Sequence, residues 1–294
     1  GRFRHLHTGF TLDYVQIQSV PQAFMWVNTV ASSDSGAAHT QEHLLLGKGN
    51  KGRNVATLGE LALVRDTAMT MNWRTCYHFN TTAGADAFFQ QLALRLDAML
   101  NPDYTDTEVK REVRNFGVAE DSNTKKLKLE EKGTVYNEMV SAVRDPSYPF
   151  YDAKITALYG TGHPLTFNSG GEPEKLRELT PDQIRDFHKE HYKLGNMGMI
   201  AAFPKEMSAL GVLERLNGIL NELQKEPVNA IELTRGDLPD FPPPKSLADG
   251  LIQIVPYAEK NKQKPGYVDF SWAPTLKLDS REELLFGLFL SNFA

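Results

Sequence analysis

The chain has 294 residues, enough for one large domain or two smaller ones, each with a substantial core. A hydrophobic content of 41%, a charged content of 23% and a net charge of −5 are ordinary for a globular protein and argue against a nucleic-acid surface. The single cysteine, Cys76, rules out an intrachain disulfide and a cysteine-based zinc finger, and no apolar run reaches the length of a membrane span.

From the start of the chain, Gly1–His5 carries no apolar signal core, so any leader is expected to lie outside this sequence. Leu12–Gln18 and Ala23–Ala31 are rich in β-branched and aromatic residues and predict two adjacent strands. A polar Ser32–Gly36 loop then opens a helix over about Ala37 to Leu46. That helix contains His39-Thr40-Gln41-Glu42-His43, an H-x-x-E-H pattern. Residues four apart share a helical face, so both imidazoles can bind one metal ion. Glu42 lies about sixty degrees round from His39 on the same side, close enough to act on a water there without being a ligand. A catalytic zinc site of this kind needs a third protein ligand and an open position.

Further along, a second helix is expected over about Val55 to Asp66, and Ala68–Met71 with Thr75–Thr82 alternate as a hairpin around Asn72-Trp73. Asp86–Leu100 is an amphipathic helix that stops at Asn101-Pro102, and Thr105-Asp106-Thr107-Glu108 is a capping box for the next one. Leu127 to Val143 reads as one helix, which sets Glu131 and Glu138 two turns apart on one face. Spacing alone leaves the third ligand open among Glu131, Glu138, Glu112, Glu120 and Asp121.

Pro146–Leu158 has a mixed signal, and Gly160–Gly171 is a loop carrying His163-Pro164. Thr180-Pro181-Asp182-Gln183 places cap, N1 proline and N3 glutamine at the start of another helix. A strand over Asn196–Phe203 and a helix over Lys205–Gln224 follow. The proline-rich stretch 226–250 reads as a linker. Beyond it Leu251–Pro256 and Tyr267–Ala273 echo the opening strands, and Ser280–Phe293 is an apolar helix with Arg281–Leu285 where the first copy has His39–His43. The expected organisation is a zinc-bearing domain over 1–225, a linker over 226–250, and over 251–294 the truncated start of a second homologous domain without metal ligands.

Other conspicuous residues have ordinary readings. The lysine clusters 125–128 and 260–264 are solvated loop or helix faces, and His78, His163, His188 and His191 serve packing or capping.

Taken in order, His39-x-x-Glu42-His43, then Arg74-Thr75-Cys76-Tyr77, then Gly133-Thr-Val-Tyr-Asn-Glu138-Met resemble the pitrilysin-type inverzincin metallopeptidases, and most closely their presequence protease branch. Gly170-Gly171-Glu172-Pro173 and Phe187-His188-Lys189-Glu190-His191-Tyr192 extend the resemblance over most of residues 1–225. The chain departs from the family pattern at Gly47-Lys48-Gly49, Thr67 and Asn72-Trp73.

The resemblance implies an α+β fold, a mixed or antiparallel sheet covered by helices. It further implies Zn2+ held by His39, His43 and Glu138, with Glu42 as general base and Glu131 as a supporting carboxylate. The implied activity is endopeptidase cleavage of short unfolded peptides, in an organelle matrix or a bacterial compartment. The implied partners are the peptide and a homologous second half of the same protein, without which the fragment would be weak or inactive. No nucleic-acid or membrane partner is expected. The rival reading is a non-catalytic scaffold or core subunit of the same fold within a larger assembly. A purely structural zinc protein is a third, and a glutamate beside the second histidine argues against it.

Overall fold

A computed structural model describes residues 1–226, 252–256, 263–271 and 278–291. The chain divides into two compact units, Gly1–Asp145 with Phe167–Asp240, and Pro146–Thr166 with Phe241–Ala294.

In chain order the first unit opens with strands β1 (Arg2–Arg4), β2 (Thr11–Gln16) and β3 (Gln22–Asn28), then helices α1 (Ala37–Leu45) and α2 (Gly49–Leu61). Next come β4 (Val64–Thr70), β5 (Arg74–Thr81), α3 (Ala85–Leu100) and α4 (Asp106–Val113), a strand pair β6 (Asn115–Glu120) and β7 (Leu127–Lys132), and α5 (Thr134–Val143). Helix α6 (Ser147–Tyr159) belongs to the second unit. The first unit resumes with α7 (Pro173–Leu176), α8 (Pro181–His191), β8 (Met197–Phe203) and α9 (Ala209–Leu223), and α10 (Ser280–Ser291) lies in the second unit.

Six strands form one sheet in the order β1-β2-β8-β3-β5-β4. All neighbours are antiparallel except β2 and β8, so the sheet is mixed. Period-two alternation decides its faces. Ala23, Met25 and Val27 of β3, Tyr77 and Phe79 of β5, and Met197, Met199, Ala201 and Phe203 of β8 all turn to one side and are buried. There they meet Phe88, Phe89, Leu92, Leu96 and Met99 of α3, and Val212, Leu216 and Leu220 of α9. Phe88 stacks on Phe79 at 5.0 Å and meets Phe203 edge-on at 5.3 Å. Each such side chain contributes about 1.5–3 kcal/mol by leaving water. The result is the α+β architecture expected from the sequence, with helices over one face of a mixed sheet.

Several local expectations are corrected. The first two long strands are not neighbours, because β8 inserts between β2 and β3. Gly198 fits this insertion: it pairs with Trp26, whose indole would collide with any Cβ at that position. The second helix starts earlier than expected, at Gly49, and Val64–Asp66 belongs to the edge strand β4. Leu127–Lys132 is a strand rather than the first half of a helix, and it pairs with β6. Pro146–Leu158, mixed by sequence, is largely helical. Both capping boxes form as read: Thr105 with Glu108 starts α4, and Thr180 with Gln183 starts α8.

In the second unit Lys154 pairs with Asp269 at 3.4 Å, and the rings of Phe150 and Tyr267 lie 5.7 Å apart. Residues 252–256 and 265–271 carry no regular structure, so the strands expected there do not appear in their described parts. The last helix forms over Ser280–Ser291, and its Leu284, Leu285, Leu288 and Phe289 are exposed. Nearly all of the expected linker, residues 227–250, lies outside the described residues, as do residues 260–262 of the second lysine cluster. No described helix is long and apolar enough to cross a membrane.

Candidate metal centre

Helix α1 begins at Gly36, whose φ of 72° is a left-handed conformation that glycine adopts without strain. The same residue admits the loop carrying Gly170 and Gly171: a Cβ on Gly36 would lie 2.7 Å from the Gly170 carbonyl oxygen and 2.8 Å from the Gly171 Cα. Asp34 ties that loop down, accepting from the Asn168 N–H through Oδ1 at 2.7 Å and from the Glu172 N–H through its own carbonyl at 2.8 Å. The Gly-Gly-Glu-Pro stretch is thus placed directly against the start of the motif helix.

That placement fixes His39. Its Nδ1 lies 3.2 Å from the Gly170 carbonyl oxygen, which can only accept, so the ring proton sits on Nδ1 and the Nε2 lone pair is free. His43 is fixed in the same sense from another direction. Its Nδ1 donates to Glu112 Oε2 at 3.2 Å, while Lys48 Nζ holds the other Glu112 oxygen at 2.9 Å. Burial works against the Glu112 charge, but the bonds from His43 and Lys48 outweigh it and lower its pKa. The Glu112 bond in turn raises the pKa of His43 despite burial.

Glu112 lies on α4, one turn beyond Glu108. The Glu108 carboxylate is opposed by burial, yet the Thr105 N–H, Arg53, the Gly49 N–H and the Thr105 hydroxyl hold its pKa down at about 2. This contribution to α4 is therefore present above the ordinary carboxylate range and is lost only as pH falls towards 2.

The two rings stand edge to face with centroids 4.8 Å apart. Glu138 of α5 approaches both, its Oε2 being 3.4 Å from His43 Nε2 and 3.7 Å from His39 Nε2. Two ligands about 2.0–2.1 Å from a tetrahedral centre stand about 3.4 Å from each other, close to these two separations, and two imidazoles with a carboxylate are a donor set that zinc accepts. All three ligand atoms lie within 4.8 Å of one another. Among the described residues this is the one group of three such side chains close enough to share an ion. Glu138 is half exposed, which leaves the triangle open on one side. Glu42, by contrast, is buried, and its Oε2 accepts a 2.6 Å hydrogen bond from Thr70 Oγ1 at the end of β4.

Glu131 is not on the helix of Glu138. It lies near the end of β7, with both oxygens engaged by Arg177 at 3.0 and 2.9 Å, one by Arg114 at 2.9 Å and the other by the Tyr136 hydroxyl at 3.1 Å. Gly133 separates β7 from α5 at a close approach that suits glycine, since a Cβ there would lie 2.8 Å from the Glu112 carbonyl oxygen at the end of α4. Glu131 fixes the start of α5, whereas Glu112 is the carboxylate that meets a site histidine. The sequence left Glu112 open; a buried acid four residues after the capping Glu108, between the buried Val109 and Val113, is the signal that points to it. Glu120 pairs with Lys125 at 3.4 Å, and Asp121 accepts from Asn123 and Thr124 in the β6–β7 turn.

His78, His163, His188 and His191 make structural contacts. His188 Nε2 donates to the Met99 carbonyl at 2.7 Å, His191 Nδ1 donates to the Phe187 carbonyl at 2.9 Å, and His163 Nδ1 accepts from the Leu165 N–H at 3.1 Å. His78 packs on Phe24 with ring centroids 4.2 Å apart.

No protein-family model matches the chain. It is 32% identical over 163 residues to the mitochondrial presequence protease of Gibberella zeae, covering 51% of this chain and 16% of that protein. An uncharacterized protein of Saccharomyces cerevisiae is 28% identical over 273 residues, covering 91% of this chain and 25% of its own length. The chain thus spans a quarter or less of these relatives. A solved M16 peptidase inactive domain from Pseudomonas fluorescens shares the fold at a TM-score of 0.59 and 15% identity, over 84% of this chain and 54% of that one. By this sequence likeness the chain is related to the presequence proteases, and it shares the fold of the solved M16 peptidase domain.

Proposed function

We propose that this chain is the zinc-bearing part of a metalloendopeptidase that cleaves short unfolded peptides. The observation that carries the proposal is the triangle of His39 Nε2, His43 Nε2 and Glu138 Oε2 with the buried Glu42 carboxylate on the same helix. His39, His43 and Glu138 would hold the ion. Bound zinc would lower the pKa of a coordinated water towards about 7 and polarise the scissile carbonyl. Glu42 takes the proton of the attacking water and delivers it to the amide nitrogen that leaves. Gly170 and Glu112 each hold one Nδ1–H, which turns both Nε2 atoms towards the ion. Glu131 supports the site through the Arg177–Tyr136 cluster rather than through contact with the reacting groups.

The peptide would add to β4, the edge strand of the six-stranded sheet, whose last residue bonds Glu42. Strand addition demands an extended chain, so a folded or tightly cyclised segment should be refused. We also propose the division into a zinc-bearing domain over 1–225, a linker over 226–250 and the start of a homologous, metal-free domain over 251–294. A second half would complete the substrate chamber.

The rival reading, a non-catalytic subunit, draws on the shared fold of the inactive domain from Pseudomonas fluorescens. Convergence of both histidines with Glu138, and of Glu42 with Thr70, favours the enzyme. The test is hydrolysis of an unstructured peptide by the zinc-loaded protein with its second half. A chelator should abolish cleavage and added zinc restore it, a cyclised version of the peptide should survive, and residues 1–294 alone should bind zinc with little turnover. Cleavage that persists unchanged in chelator would refute the zinc reading.

A further inference from the structure

We infer that Thr70 is a positioning residue that aims Glu42 and couples the peptide-binding edge strand to the base. The inference rests on the peptidase reading of the same site. Among the described residues, the 2.6 Å bond from Thr70 Oγ1 to Oε2 is the one hydrogen bond that reaches the Glu42 side chain. Glu42 is only 6% exposed, so its carboxylate has little water to orient it. With Oε2 occupied by Thr70, Oε1 is the oxygen available to a reacting water.

Thr70 is itself held firmly. It pairs with Thr75 across β4 and β5, and the Thr75 hydroxyl meets the Thr29 hydroxyl at 2.9 Å within the buried layer. The turn beyond Thr70 is tied by the Met71 N–H to the Arg74 carbonyl at 2.8 Å, and by the Ala31 N–H to the Asn72 carbonyl at 2.7 Å. The Thr29 N–H reaches the Trp73 carbonyl at 3.2 Å, and the Asn72 side-chain amide donates to the Phe167 carbonyl at 2.6 Å. A hydroxyl on such a frame can hold a carboxylate to a few tenths of an ångström, the precision that proton transfer requires. Because Thr70 closes the edge strand, a peptide paired with that edge would lie beside the hydroxyl that sets the base. Strand addition and proton transfer then share one residue.

The test compares Thr70→Val, which keeps the shape and strand preference but removes the donor, with Thr70→Ser, which keeps the donor. Both are made in the zinc-loaded protein with its second half. Thr70→Val should lower kcat about tenfold with KM within about twofold, and Thr70→Ser should return kcat to within about threefold of the parent. A phosphinic peptide, which mimics the tetrahedral transition state, should bind Thr70→Val about tenfold more weakly by calorimetry, with one zinc per protein in all three. An unchanged kcat and phosphinic-peptide affinity in Thr70→Val, a loss confined to KM, or a Thr70→Ser protein no better than Thr70→Val would each overturn the inference. If the parent cleaves no peptide, the peptidase reading fails and the role of Thr70 fails with it. If the parent cleaves and Thr70→Val cleaves equally well, only the role of Thr70 is lost.

Discussion

Glu42→Gln is expected to lower peptide hydrolysis by about 10³-fold, equivalent to about 4 kcal/mol of barrier, while the protein keeps its zinc. The amide has nearly the shape of the carboxylate and still accepts from Thr70 through its oxygen, so the burial of this position in α1 survives. What it cannot do is take a proton. Metal analysis and peptide kinetics on the same preparation check this. Activity within tenfold of the parent would remove Glu42 from the chemistry, and loss of zinc together with activity would make it a ligand instead. A non-catalytic subunit would show no hydrolysis in parent or variant.

The second large effect is expected at Glu112. Glu112→Gln leaves a hydrogen-bond acceptor facing His43 Nδ1 but withdraws the charge that the Lys48 ammonium and the His43 ring both contact. Zinc affinity should fall about 10–100-fold at pH 8, measured by competition with a chromophoric chelator. The sign of the pH dependence follows from His43, whose pKa the Glu112 bond raises above its ordinary 6.5. Zinc must displace a proton from Nε2 below that raised pKa, so binding by the parent weakens as pH falls through it. Without the Glu112 charge the same proton is lost at lower pH. The difference between the two proteins should therefore narrow in acid. A gap that stays constant or widens as pH falls would contradict this account of the pair.

These two residues also mark what the sequence made legible. The motif helix, both capping boxes and the amphipathic α3 were readable because their signals are local: spacing of 3.6, a cap three residues before its partner, a proline at N1. His39, Glu42 and His43 could be placed together for the same reason. Glu138 came from likeness to a known family, since nothing local joins it to a helix almost a hundred residues earlier.

The misplacement of Glu131 arose from the period of a short segment. Leu127 and Leu129 alternate with Lys128 and Glu130, and Phe116 and Val118 alternate likewise opposite them, which is the pattern of a paired ribbon rather than a helix. Gly133 then ends the strand against the last turn of α4. The order of strands in the sheet was out of reach for another reason. β8 enters between β2 and β3 from far along the chain, and only the clearance that Gly198 gives Trp26 records the fact.

X-ray absorption at the zinc edge, on protein loaded with one equivalent of the metal, tests the centre most directly. Two imidazole nitrogens at about 2.0–2.1 Å and a shell of oxygen at about 2.0–2.2 Å are predicted, falling to one imidazole in His43→Ala and to fewer oxygens in Glu138→Ala. A parent spectrum with no imidazole scattering, or one that neither substitution alters, would contradict the assignment of His39, His43 and Glu138.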